Sequence, residues 1–206
     1  MSFSLTLVIV AVTVLVSWRA FNDHNLLERL ILWPPAVERR KQYDRLLGYG
    51  FVHADRMHLL FNMITLWSFG TAVERAFSQM ITPAGYVLFY LSAIVVSILP
   101  TYISHRRDPN YRSLGASGGV SAVLFSFILF DPWSTLIIFP IPLPIPAFLF
   151  AVLYVGYSIW MDRRGRDNVN HSAHLWGAAY GVLFTVLLEP RILGHFVQTL
   201  LRTGSP

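Results

Sequence analysis

An all-α, polytopic membrane protein with six spans is the fold class predicted, and three observations predict it. Hydrophobic residues make up 54% of the 206, only 13% are charged, and mean hydropathy is +0.52. The apolar residues fall in blocks near the ~20 residues needed to cross a ~30 Å hydrocarbon core. Proline, glycine and charged clusters separate the blocks. Together these exclude a soluble domain of any size and predict a single domain over 1–206. With no cysteine, disulfides, thiolate catalysis and cysteine-based metal sites are excluded. The net charge of +5 is spread over several loops. That pattern suits lipid headgroups and gives no basic run for nucleic acid.

The first span is expected over about 2–18. It lacks a basic leader region and a small-residue cleavage site, so it reads as a retained span. Residues 19–55 alternate charges (Asp23, Glu28, Arg29, Glu38 to Lys41, Asp44, Arg45) with apolar pieces and are interrupted by Pro34-Pro35. This reads as a long interfacial loop with ordered structure of its own. Spans two and three follow at about 57–76 and 84–104. The fourth, 116–130, is short: ~14 residues rise only ~21 Å, so it begins below the membrane surface inside the bundle. Pro140, Pro142, Pro144 and Pro146 predict an extended connector. The fifth span is expected at 146–161 and, having few small residues, should be the mobile wall. A sixth at 173–189 precedes a short tail.

Spans two, four and six run in one direction, so their N-termini share one side. Each opens with polar side chains: His58 and Asn62, Ser117, and His174. Polar groups at membrane depth are costly and mark function. His58 and Asn62 share one helix face by their i,i+4 spacing. Gly177 and Gly181 lie on nearly the same face as His174, and seating them against the Gly118/Gly119 region would bring two backbones together. A serine hydroxyl becomes nucleophilic when a bonded base takes its proton, and histidine suits that role near neutral pH. No carboxylate sits in register, so a Ser117–His174 dyad is predicted. The Ser117 N–H, His58 and Asn62 are the candidate oxyanion donors. A metal site among His53, His58, His171 and His174 is disfavoured because no carboxylate joins them. His53 and His171 read instead as interfacial loop groups, and Glu74 as a structural acceptor.

Three motifs then resemble the rhomboid intramembrane serine proteases: His53-Ala-Asp-Arg-Met-His58-Leu-Leu-Phe-Asn62, Gly115-Ala-Ser117-Gly118, and Ala173-His174-Leu-Trp-Gly177-Ala-Ala-Tyr-Gly181. With the six-span layout, the resemblance covers nearly the whole chain. It implies a six-helix bundle with Ser117 as nucleophile, His174 as base, and His58, Asn62 and Ser117 forming the oxyanion hole. It also implies Arg45 and Glu74 as structural polar residues and Phe61 at a substrate gate between spans two and five. No cofactor is implied. The substrates implied are single-pass transmembrane proteins, met within membrane lipid. Where the family commonly has an aromatic that stacks on the catalytic histidine, four residues past the nucleophile, this chain has Ser121. Either another ring orients His174 or the dyad is looser.

Lysine and arginine number seven in 19–56, three in 105–114 and three in 162–172, against three elsewhere. A positive-inside count would put the active-site side in the cytoplasm. The resemblance favours a bacterial inner (plasma) membrane with the site facing the extracytoplasmic side. The competing functions are a catalytically weak or inactive rhomboid-like protein that binds membrane-protein clients, and a small transporter. Absence of inverted repeats counts against the transporter.

Overall fold

A bundle of long helices carries a layer of short ones at one end. The computed structural model describes residues 4–138, 143–165 and 169–202. Among these lie ten α-helices, a 3-10 turn at Tyr49–Phe51 and one two-stranded hairpin. Helix α1 is Leu5–Ala20. The predicted interfacial loop holds α2 (His24–Leu30), α3 (Pro34–Arg40) and α4 (Arg45–Gly48). Pro34 there starts a helix, at a position where its missing N–H removes nothing. The helices at the other five expected spans are α5 (Arg56–Phe77), α6 (Pro83–His105), α7 (Ser117–Phe130), α8 (Ala147–Arg164) and α9 (His171–Leu188). By length and composition α6 is able to cross a membrane, while α1 and α7 are shorter apolar helices.

Two expectations are corrected. The connector contains an antiparallel hairpin, β1 (Thr135–Ile138) on β2 (Leu143–Pro146). Prolines 144 and 146 are tolerated because a two-stranded ribbon consists only of edges. Pro140 and Pro142 lie outside the described residues. The expected tail is helix α10 (Ile192–Leu201), bent 109° from α9. Its Leu193, Val197 and Leu201 are exposed at helical spacing, and His195 Nε2 lies 2.9 Å from the Phe130 carbonyl.

Helix α7 is central, with all but three of its fourteen residues buried. It lies parallel to α9 at backbone contact. A Cβ on Gly177 would sit 2.1 Å from the Gly118 carbonyl oxygen, and one on Gly181 would sit 2.1 Å from that of Ala122. The expected glycine face is therefore present, with one adjustment: Gly119 faces Tyr90 and Ile94 of α6 instead. Ser126 and Thr185 hydrogen-bond across the α7–α9 interface at 2.9 Å.

The ends of α1 are tied to the bundle. Glu74 accepts from Ser4 Oγ, Leu5 N, Thr6 N and Thr6 Oγ1 at 2.7–2.9 Å, so its carboxylate takes up donors that a helix N-terminus leaves unpaired. Arg45 is buried and donates to the Glu28 and Ile31 carbonyls, both at 2.7 Å, and to Gln42 Oε1 at 2.6 Å. It thereby closes the C-terminal end of α2. Burial draws the Arg45 guanidinium below its ordinary range.

Candidate active site

The N-termini of α5, α7 and α9 meet at one end of the bundle. Helix α5 starts at Asp55, whose carboxylate caps it by accepting from His58 N at 2.8 Å; that bond holds Asp55 below the usual carboxylate range. Asn170 caps α9, accepting from Ala173 N at 2.9 Å and from Thr101 Oγ1 at 3.1 Å. It also donates to Ser113 Oγ at 3.2 Å, so one side chain ties α9 to α6 and to the loop before α7. Its signal, an asparagine ahead of an apolar run, was available in the sequence.

The loop into α7 turns at Gly115, with φ +118°, a conformation glycine adopts freely. A Cβ there would lie 2.6 Å from His58 Cε1, so the imidazole occupies the space that glycine leaves. Ser117 follows two residues on, half-buried at the first position of α7. The first N–H groups of a helix have no partner within it, and Ala116 at the cap position offers no side-chain acceptor. Gly118 is wedged between α6 and α9: a Cβ there would sit 2.1 Å from Ser97 Oγ and 3.4 Å from the Ala173 carbonyl. Ser117 and His174 thus immediately flank one helix–helix contact, one residue before Gly118 and one after Ala173. Asn62 is buried and donates from Nδ2 to the His58 carbonyl at 2.9 Å. Phe61 is on the exposed apolar stripe of α5 with Met57, Leu60 and Ile64. Arg45 and Glu74 lie outside this cluster, in the contacts already described.

His53 does lie in the loop before α5, but His171 opens α9, and neither is an exposed interfacial group. Both are buried. His53 Nε2 accepts the Ala116 N–H at 3.2 Å, and its Nδ1 lies 2.9 Å from Ser17 Oγ. Ser17 donates onward to the Phe51 carbonyl at 2.8 Å. These partners assign the proton to Nδ1, so neutral His53 positions the backbone just ahead of Ser117. Its ring also meets that of His58 edge-on at 4.9 Å. The tertiary partner Ala116, 63 residues away, is what buries His53.

Burial drives the His53 pKa down to about 3 from its ordinary 6.5, and the neighbouring His58 adds to this. Protonation would put a second hydrogen on Nε2, facing the Ala116 N–H. The unfolded chain binds this proton below pH ~6.5 and the folded chain does not. The stability it confers is therefore complete above that pH and declines as pH falls towards 3, by about 1.4 kcal/mol per pH unit for one proton. Thermal unfolding of wild type and His53→Gln between pH 7 and 4 should converge as pH falls. A constant gap would overturn this.

At Ser121 the structure supplies a ring from elsewhere. Tyr154 of α8 stacks on His174 with centroids 6.0 Å apart and planes at 23°. Its hydroxyl is 2.6 Å from Ser121 Oγ.

The Rhomboid domain family matches residues 40–191. The chain is 30% identical over 194 residues to the mitochondrial RHOMBOID-like protein 12 of Arabidopsis thaliana, covering 87% of this chain and 56% of that one. It is 30% identical to Rhomboid protein 1, mitochondrial, of Saccharomyces cerevisiae, over 68% of this chain and 40% of that one. To the presenilin-associated rhomboid-like protein, mitochondrial, of Rattus norvegicus it is 32% identical, covering 81% and 43% respectively. The chain spans about half the length of these curated relatives. Their mitochondrial names overturn the expected bacterial inner-membrane location, which rested on general family habit without a residue signal. The motifs at His53–Asn62, Gly115–Gly118 and Ala173–Gly181 all lie within the matched region, and the chain belongs to the rhomboid family.

Proposed function

We propose that this protein is an intramembrane serine endopeptidase: a single six-span domain that cuts transmembrane segments with a Ser117–His174 dyad. The observation that carries the reading is the α7–α9 backbone contact at Gly118, which Ser117 and His174 flank. His174 takes the proton from Ser117 Oγ as the hydroxyl attacks the scissile carbonyl, then returns it to the leaving amine. The oxyanion receives the Ser117 N–H, with His58 and the second Asn62 N–H as further donors. Water completes the cycle by hydrolysing the acyl-enzyme. Substrates are single-pass membrane proteins whose helices carry small or helix-weakening residues, and they enter past Phe61 between α5 and α8.

Four arginine–tryptophan stacks support a headgroup level at this end. Arg56 lies over Trp18, Arg40 and Arg112 over Trp33, and Arg164 over Trp160, at 4.2–5.3 Å. Tryptophan and arginine concentrate at membrane interfaces. Helices α1, α5, α6, α7, α8 and α9 are then the six spans.

The test is covalent labelling of the detergent-purified full chain with a fluorophosphonate probe. Wild type should label and Ser117→Ala should not. Absence of labelling in folded wild type would favour the client-binding alternative, and labelling that survives Ser117→Ala would identify a different nucleophile.

A further inference from the structure

Resting on the protease reading, we infer that Tyr154 is the positioning residue for the His174 base, and that Ser121 anchors it. A histidine base needs its ring held in the orientation that meets the nucleophile. Where a triad exists a carboxylate does this, and this sequence offers none in register. Tyr154 provides a flat surface, its ring stacked on His174 at 6.0 Å and 23°. Offset stacking at such separations is favourable and directional.

The tyrosine is itself fixed on three sides. Its ring centroid lies 5.6 Å from that of Phe125 on α7 and 5.5 Å from that of Phe150 on α8. Its hydroxyl shares a 2.6 Å hydrogen bond with Ser121, which is 3% exposed. The serine lies one helical turn past Ser117 on the same helix. Helix α7 thus carries the nucleophile and, a turn deeper, the anchor of the group that orients the base.

The placement on α8 has a mechanistic consequence. Of the eighteen residues of α8 only Ala147 and Ser158 are buried, whereas α7 is buried nearly throughout. The ring therefore comes from the least embedded of the six helices at the expected spans. When α8 is seated, Tyr154 reaches both Ser121 and His174. A displacement of α8 that breaks the Ser121 bond also withdraws the ring from the imidazole. The base is thus set while α8 is seated, as in this structure, and is released whenever α8 swings away.

The experiment is the rate of fluorophosphonate labelling across probe concentrations, which separates the maximal rate from half-saturation. The proteins are full-length wild type, Tyr154→Leu, Tyr154→Phe, Ser121→Ala and the double variant Ser121→Ala/Tyr154→Phe. Tyr154→Leu should lower the maximal rate about 10- to 100-fold with half-saturation unchanged, as expected when a reacting group is misplaced by an ångström or less. Tyr154→Phe keeps the ring and should stay within about threefold of wild type. The double variant removes both hydroxyls and should label faster than Ser121→Ala, which strands a buried phenol. Equal rates for folded Tyr154→Leu and wild type would overturn the inference. So would a loss in Tyr154→Phe as large as that in Tyr154→Leu, because a retained ring would then add nothing to the rate. If Tyr154→Leu does not fold, Tyr154→Met takes its place under the same criteria, and a large loss in folded Tyr154→Phe overturns the inference on its own. Wild type that never labels would instead sink the protease reading, and this inference with it.

Discussion

Replacing Gly177 with leucine should leave little folded protein. Even a bare Cβ at this position would lie 2.1 Å from the Gly118 carbonyl oxygen, about an ångström inside the closest tolerable approach. The obstacle is backbone, so no rotamer change relieves it. The two helices must separate along their length, opening a gap at a contact where dispersion falls steeply with distance. Overpacking of ordinary cores costs about 1–3 kcal/mol, and this site should exceed that range. Gly156 on α8 is the control, since a Cβ there would meet nothing within 4 Å. Gly156→Ala should be neutral or stabilising by up to about 1 kcal/mol. Thermal unfolding and gel filtration in detergent measure both. A Gly177→Leu protein that melts within a few degrees of wild type would mean α7 and α9 do not meet at this contact.

The largest effect on rate is expected at His174. His174→Ala should lower cleavage of a transmembrane reporter in liposomes by about four to six orders of magnitude, the scale seen when a serine hydrolase loses its base. His174 is only half-buried, so its melting temperature should change little. That split separates a chemical role from a structural one. His171, three residues earlier and buried, should behave oppositely on substitution, losing stability before rate. Retention of more than a tenth of the wild-type rate in His174→Ala would mean another group takes the Ser117 proton.

Much of the architecture was written in local patterns. The helices at 56–77, 83–105 and 117–130 begin and end within a residue or so of the expected bounds because strong signals punctuate them: Asp55 before α5, Thr82-Pro83 before α6 and Asp131-Pro132 after α7. The glycines of α7 and α9 foretold their own contact, since small residues at helical spacing have few other uses in a bundle. What escaped depended on distant partners. The run Thr135–Ile138 is apolar without alternation and only its pairing with Leu143–Pro146 makes it a strand. His53 looked like an interfacial group, and only its bond to the distant Ala116 N–H makes it a buried one. Nothing in the spacing of Ser121 and Tyr154, 33 residues apart, says that their hydroxyls meet. Helix α10 is a different case, because Ile192, Leu193, Phe196, Val197, Leu200 and Leu201 carry a plain helical period that reading the segment as a tail passed over.

The two attachments of α1 bear on how the molecule opens. At one end its first amides converge on Glu74, and at the other Ser17 is bonded to His53 and the Phe51 carbonyl. A helix held at both ends cannot fray from either without breaking buried polar contacts, so α1 should share one cooperative unit with α5 and the approach to α7. Helix α8, bound mainly along a single edge, belongs to a separate and weaker unit. In native-state hydrogen exchange the amides of α8 should open first, and those of α1 last, together with the core.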